Sequence, residues 1–452
     1  MYGIGLDIGT TSVCGILVNA VSGEIVKSIT ESNDGFVALE NPVFKEQDAS
    51  KLVNKLKNIL DTLLEEGKDV KAIGITGQMH GIVYLDYDGK PVSNLKIWQD
   101  GRGELPYKDG HTYVSYMSAV TGYPLATGYG AVTYFYDKEN GLVPKEAVSF
   151  CTVHDLAAIT LCSKAEPVTH ISDGASLGLY DVKSNSFDKD AIEKLGLSFD
   201  VFPKVISDTE IIGEYKGIPV SVAIGDNQAS FIGSVCDMEN SLLINMGTGG
   251  QISCLTGSVP EGKDLDCRPL LNNSYILAGS SLCGGRAYAL LEKLFREIAR
   301  EITGTEVKSA YPSMDRIMAD YAPTSSPLNV NTLFSGSRSE PDKRGSIENV
   351  GTDNLSMASL CDGFMVGMAN ELYHNYEKML PCISGKKALM IGSGNGIRFN
   401  SYLKKRFEDV FSMPMLIPAQ KEEAAFGACL FSLASAGVFE SVSDAQKLIK
   451  YL

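Results

Sequence analysis

Residues 3–12 read GIGLDIGTTS. The stretch starts as an apolar strand, takes an acid, Asp7, into its second half, and breaks at once into Gly9-Thr10-Thr11-Ser12. A carboxylate inside a core strand is costly unless something polar meets it. The stretch therefore reads as one wall of a phosphate and metal site. The next residues, VCGILVNAVSGEIVKSITES, read as a second strand, a Ser-Gly turn and a third strand, which together form an antiparallel meander. Residues 48–66 put Leu52, Leu56, Ile59, Leu60 and Leu63 on one helical face, with Asp48 as N-cap. VKAIGITGQ then supplies a short buried strand. Three strands, a helix and a strand make a mixed α/β layer.

The pattern recurs. SLLINMGTGGQISCLTGSVP (241–260) repeats the opening as apolar strand, Gly-Thr-Gly turn and second strand. The helix GRAYALLEKLFREIARE (285–301) and the strand ALMIGSGNGIR (388–398) extend this second copy. The repeat predicts two related domains, 1–237 and 238–452, whose turns face each other across a cleft. Residues 100–215 fit neither copy and read as an insertion on the first domain.

A chain of 452 residues is too long for one core, so two domains agree with its length. Net charge of −15 argues against a nucleic-acid surface and against adhesion to anionic lipid. A nucleotide would be repelled by the global field and must rely on local amides and a bound cation. Ten cysteines without a C-x-x-C pair read as reduced, mostly buried thiols. No signal peptide and no apolar run near the ~20 residues that span a bilayer are present, which predicts a cytoplasmic protein.

Three phosphate-binding devices compete for the glycine-rich stretches. Glycines 3, 5 and 9 nearly match G-x-G-x-x-G, but a β-rich segment comes next where a dinucleotide fold needs a helix. GSVPEGKD (257–264) nearly matches a P-loop, but Asp264 stands where Mg²⁺ needs a hydroxyl, and Pro260 stiffens the loop. Two hairpin turns remain, Gly9-Thr10-Thr11 and Gly247-Thr248-Gly249, whose amides and hydroxyls can grip phosphate oxygens. Thr10, Thr11 and Thr248 also read as plain turn hydroxyls. Asp7 then approaches Mg²⁺ through water, or alternatively caps its own turn. In PVSVAIGDNQASFIGS (219–234) an apolar strand runs into Asp226 and a helix of small residues. Phosphoryl transfer to an alcohol needs a base there, and helix N-capping is the competing reading.

ITGQMHG (75–81) and IWQDGR (97–102) read as a substrate wall. Gln78, His80, Gln99, Asp100 and Arg102 supply donors and acceptors at strand ends, beside Trp98, the only tryptophan. Polar groups beside an aromatic plane suit an uncharged polyhydroxylated ligand. Asn227, next to Asp226, joins this set. For Arg102 the competing reading is an ion pair with a carboxylate of the first domain. The histidines at 111, 154, 170 and 374 lack H-E-x-x-H spacing, which argues against a protein-held catalytic zinc.

Together GLDIGTTS, GITGQMHG, WQDGR, GDNQA, INMGTGG, FSGSR, GSGNG and EEAAFGACL resemble the blocks of the FGGY carbohydrate kinases, in that family's order and across essentially the whole chain. The resemblance implies an α/β fold of two actin/hexokinase-like (ribonuclease H-like) domains with a nucleotide-binding cleft between them. It implies Asp226 as catalytic base and a Mg²⁺ contact. Gly9, Thr10, Thr11 and Ser12 fall in the first phosphate turn, near Asp7. Gly247, Thr248 and Gly249 form the second, while Gly284, Gly285, Gly392, Gly394 and Asn395 lie by the adenosine. Met79, His80, Trp98 and Asp100 fall where the family binds sugar. The implied reaction is ATP-dependent phosphorylation of the terminal primary hydroxyl of a ketose, sedoheptulose first and D-xylulose second, with sugar and nucleotide as partners and a homodimer left open. A non-catalytic actin-like or sugar-binding protein is the alternative from another class.

Overall fold

A computed structural model describes all residues except 261–264, 272, 338–339 and 341. Residues 261–264 of the near-P-loop stretch, and Arg338 of FSGSR, thus lie outside the described residues. The chain forms two compact units. The first comprises Met1–Cys236, Arg268–Tyr275 and Gln420–Lys450; the second comprises Asp237–Cys267, Ile276–Ala419 and Tyr451–Leu452.

In the first unit β1 (Tyr2–Ile8), β2 (Ser12–Asn19) and β3 (Ile25–Ser32) form the expected antiparallel meander. Helix α1 (Ala49–Glu66) comes next, capped by Asp48, whose carboxylate accepts the Lys51 N–H at 2.9 Å. It buries Leu52, Leu56, Ile59, Leu60 and Leu63, the predicted face. β4 (Val70–Gly77) then runs parallel to β1. The segment read as an insertion builds an aromatic core of its own from Tyr134, Phe150, Phe187 and Phe202 together with Tyr84. It is more than an appendage, because helix α2 (Val153–Leu161) packs against α1 and β4. Helix α3 (Ile171–Leu177) is almost wholly buried. β5 (Ile211–Tyr215), β6 (Ile218–Ser221) and β7 (Ile224–Gly225) complete the sheet, in the order β5-β6-β4-β1-β2-β3, with β7 on β4. Helix α4 (Asp226–Ser234) leaves directly from β7.

In the second unit the central strands repeat the plan, while residues 268–275, in the last two strands on one side of its sheet, group with the first unit. β8 (Ser241–Met246) and β9 (Gly250–Thr256) are antiparallel across the Gly247–Gly249 turn. β10 (Asp266–Leu271), β11 (Ser274–Ser281), β12 (Leu389–Ser393) and β13 (Met415–Leu416) give the order β10-β11-β9-β8-β12-β13, with β12 parallel to β8 as β4 is to β1. Helices α5 (Gly284–Thr303) and α6 (Met357–Met379) bury Leu291, Phe295, Met365 and Leu372 in this unit's core. Helix α7 (Glu423–Ser435) then returns to the first unit. No helix among the described residues is long and apolar enough to cross a membrane, and none of the ten cysteines forms a disulfide.

Small residues let α7 approach closely. A Cβ on Gly5 would overlap the carbonyl oxygen of Ala425, and one on Gly74 that of Ala428. Overpacking of this kind costs about 1–3 kcal/mol or more where the obstacle is backbone. Gly74→Ala is therefore expected to lower Tm by several degrees in thermal denaturation. Gly257→Ala, whose Cβ meets nothing within 4 Å, is expected to leave it unchanged.

Candidate active site

Strand register assembles the first half of the site. Asp7 and Ile224 both lie opposite Thr76, and Ile8 and Gly225 both lie opposite Gly77. Three parallel strands thus end abreast, and the chain leaves them as Gly9, Gln78 and Asp226. The carboxyl ends of parallel strands are where open α/β sheets bind ligands.

Asp226 opens α4 while Gly225 takes the N-cap position, so the capping role is not its own. Burial, and then the neighbouring Asp173, push its carboxyl up to about 6, against the pull of His154 and Arg268. Burial pushes Asp7 up to about 7, helped by Asp226 and Glu422. Asp7 Oδ1 is shielded from solvent and accepts no hydrogen bond among the described residues; Asn227 Oδ1 and Gln228 Oε1 share that state. Gln228 is otherwise fixed by its Nε2, which donates to Pro269 O at 2.9 Å. An unbonded oxygen on the Asp7 carboxylate, and unbonded amide oxygens on the two residues that follow Asp226, suit a hydrated hard cation and the hydroxyls of a polyol. Among the described residues no group of three or more His, Cys, Asp or Glu side chains could hold a metal ion. Mg²⁺ in nucleotide sites commonly uses only one or two carboxylates with water and phosphate oxygens.

The first turn is tied down through its carbonyls. Gly9 O accepts from Asn33 Nδ2 at 2.9 Å, Thr10 O from Gln47 Nε2 at 3.1 Å, and Thr11 O from Asn33 N at 2.8 Å. The half-exposed Trp98 donates its indole N–H to Thr10 Oγ1 at 2.9 Å, and Thr10 Oγ1 donates to Gln78 Oε1 at 3.3 Å. Gln78 Nε2 continues to Gln47 Oε1 at 2.8 Å. The predicted substrate wall and the first turn are therefore one hydrogen-bonded unit. Met79 is buried and reaches the Gly225 backbone. His80 takes a left-handed φ of 73°, donates Nδ1–H to Ser176 O at 2.8 Å, and stacks on Tyr129 with ring centres 4.7 Å apart. Ser12 begins β2, and Gln99 is exposed.

Asp100 and Arg102 lie deeper. Arg102 is buried, with Nε on Asp100 at 2.7 Å, Nη2 on Glu46 at 3.0 Å, Nη1 on Asp137, and its guanidinium over Phe44 at 4.8 Å. Asp100 also accepts the Lys45 N–H at 2.8 Å. The ion pair weighed for Arg102 in the sequence is what this geometry contains.

The second unit brings its own predicted residues together. Gly285 N donates to Gly247 O and Arg286 N to Thr248 O, both at 3.0 Å, so the α5 N-terminus sits against the second turn. A Cβ on Gly284 would run into the Gly249 backbone. Gly394, at a left-handed φ of 80°, passes beside Met246 O and Asn245, and Asn395 is next, exposed, at the start of a short helix. Gly392 instead lies buried within β12, among Ile397, Met415 and Ile417.

Sequence reasoning missed the groups beneath the first-unit strand ends, namely His154, Asp155, Ser172, Asp173 and Ser176, all buried. The signal was an adjacent His-Asp pair in the apolar run TVHDLAAITL (152–161), inside the segment set aside as an insertion.

Two sheets with the same central strands, a hairpin pair beside a parallel strand, and each with a turn between its first two strands, are the actin/hexokinase-like fold, here carrying a carbohydrate-kinase sequence. The model of the FGGY family of carbohydrate kinases, N-terminal domain, matches residues 2–242, and the chain belongs to that family. It is a carbohydrate kinase. Over 488 residues it is 27% identical to sedoheptulokinase of Mus musculus, covering 95% of this chain and 97% of that protein. Its fold matches the crystal structure of xylulose kinase from Rhodospirillum rubrum with a TM-score of 0.84 at 19% identity, over 100% of this chain and 93% of that one. Plasmodium falciparum glycerol kinase with ADP gives a TM-score of 0.82 at 19% identity, over 99% and 92%.

The raised carboxyls have a signed consequence for stability. A carboxyl that titrates near 7 when folded and near 4 when unfolded stabilises the fold less as pH rises between those values. Asp7→Asn, with nothing to ionise, is expected to gain Tm relative to the parent from pH 4 to pH 8, by a few degrees at the upper end. Calorimetry in EDTA checks this; an Asn variant that loses stability at pH 8 would mean that the carboxylate has a strong partner.

Proposed function

We propose that the protein transfers the γ-phosphoryl of ATP to the terminal primary hydroxyl of a ketose, with sedoheptulose its first substrate and D-xylulose the second. The observation that carries the reading is the buried Asp226 at the end of β7, with Asp7 and the first turn at the end of β1, on the other side of β4. In this reading the Asp226 carboxylate takes the proton of the attacking hydroxyl, and its raised pKa suits a proton acceptor working near neutrality. Asp7, with Asp226 beside it, would hold Mg²⁺ largely through water, and the bound ion would neutralise charge on the phosphates. With the turn carbonyls engaged by Asn33 and Gln47, and the Thr10 hydroxyl by Trp98 and Gln78, the amides of Gly9, Thr10, Thr11 and Ser12 and the hydroxyls of Thr11 and Ser12 serve the phosphate oxygens. The Gly247–Gly249 turn, Gly284, Gly285 and the Gly392–Asn395 segment serve the nucleotide. The glycerol kinase relative carries ADP, which supports the nucleotide assignment.

Gln78, Met79, His80, Trp98, Gln99 and Asn227 are the sugar-facing set. Asp100 and Arg102 brace that wall, because their charged groups are already engaged by protein partners. The sedoheptulokinase relative favours the seven-carbon sugar. A site whose buried polar groups go unpaired with the wrong sugar discriminates strongly.

The reading is tested by kcat/KM for sedoheptulose, D-xylulose, D-ribulose and L-ribulose with Mg²⁺-ATP. Sedoheptulose is expected to lead, and a tenfold preference for either ribulose would overturn both sugar assignments. Asp226→Ala is expected to cut kcat by about 10²–10⁴ while nucleotide binding persists. Wild-type turnover in that variant would remove Asp226 as the base.

A further inference from the structure

Helix α3 has no part in the proposed reaction, yet it touches both halves of the first-unit site. Ser172 Oγ accepts the Gly225 N–H at 3.0 Å, one residue before Asp226. One turn later, Ser176 O accepts His80 Nδ1–H at 2.8 Å and Ser176 Oγ accepts the His80 backbone N–H at 3.3 Å. Residues four apart share a helix face. One turn of helix therefore spans the strand end that carries the proposed base and the loop that carries the proposed sugar contact.

That helix is itself held. Ser172 Oγ lies 2.9 Å from His170 Nδ1 and 3.3 Å from Asp173 Oδ2, and its single proton serves one of them. Burial lowers His170 to about 4, so its ring is neutral at pH 7 and can accept. Asp173, wholly buried, faces His154 Nε2 on α2 at 3.0 Å. Burial opposes a charge on His154, but Asp173 and Asp155 outweigh it and raise the imidazole to about 9. Ser176 Oγ donates to Asp173 O at 2.9 Å, which closes the turn on itself.

We infer that α3 is a spacing element for catalysis: Ser172 and Ser176 are positioning residues that fix Asp226 and His80 relative to one another, with the His154–Asp173 pair locking the helix in place. The inference rests on the reading of Asp226 as base and His80 as a sugar contact. A hydroxyl on the Gly225 amide sets where the next side chain starts, and misplacement by about 1 Å can cost on the order of 10² in rate. Neither serine needs to touch a substrate to have this effect.

The two serines predict different kinetic signatures, which a merely structural role would not separate. Ser172→Ala in the full-length enzyme is expected to lower kcat about 10- to 100-fold, with the sugar KM within about threefold of wild type. Ser176→Ala, which removes the hydroxyl bond to the His80 amide and keeps the carbonyl bond to its ring, is expected to raise the KM of the preferred ketose about three- to tenfold, with kcat changed less. Calorimetric titration with ADP, expected unchanged in both, and thermal denaturation report whether each variant is folded. Asp173→Asn, which keeps the shape of the side chain, is expected to combine both defects. Both serine variants folded and within twofold of wild type in kcat and KM, beside an inactive Asp226→Ala, would overturn the inference. Parallel losses in kcat, KM and Tm would overturn it too, by making the serines structural only. Full activity in Asp226→Ala would instead remove the reading on which the inference depends.

Discussion

The first-unit site depends on how closely the backbone of α7 approaches β1 and β4. Ala425 and Ala428 put their carbonyls where side chains on Gly5 and Gly74 would otherwise stand. The same helix meets α4 through Gly427 and Gly233, again without room for a Cβ. β1 ends at the turn beside Asp7, β4 ends at Gly77 just before Gln78, and α4 begins with Asp226. One helix of small residues thus clamps all three elements that present the site, and Glu422 immediately before it adds a negative charge near Asp7. The contact works because close-packed interiors forfeit much dispersion energy when a backbone is held even slightly away.

The buried carboxylates near this packing outnumber the protein cations that meet them. Asp7, Asp155, Asp173 and Asp226 are set against His154, which Asp173 holds as an imidazolium. Burial first, and then Asp226 near Asp7 and Asp173 near Asp226, leave Asp7 and Asp226 reluctant to ionise. A site of this kind favours a bound cation, because an added positive charge relieves a cost already present. A second buried network, Arg102 with Asp100, Asp137 and Glu46, is complete without any ligand and makes the wall under Trp98 rigid. The two networks contrast in hydrogen bonding: the Arg102 guanidinium bonds all three of its carboxylates, whereas Asp7 Oδ1 accepts no bond among the described residues.

The second unit reaches a related geometry by other contacts. Its turn is closed from the α5 N-terminus, where the amides of Gly285 and Arg286 bond the Gly247 and Thr248 carbonyls. In the first unit the side chains of Asn33 and Gln47 hold the turn instead. The central strands that the two sheets share thus have their turns fixed by different means.

Much of this was legible in the chain. The strand-turn-strand of GIGLDIGTTS, its echo in INMGTGG, the α1 face and the strand-end position of Asp226 all derive from local pattern, since alternation and glycine turns are set by neighbours in sequence. The ordered blocks carried the family. What the sequence alone could not decide was which polar residues meet. That Arg102 would be consumed by three carboxylates, that Trp98 would bond Thr10, and that α7 would return to clamp β1 and β4 depend on residues far apart in the chain. His154, Ser172 and Ser176 lay in a stretch with no repeat to classify it, and their importance is positional. A hydroxyl or imidazole has no distinctive sequence pattern when its role is to hold another residue, and only the packing of α2 and α3 beneath the strand ends gives it one.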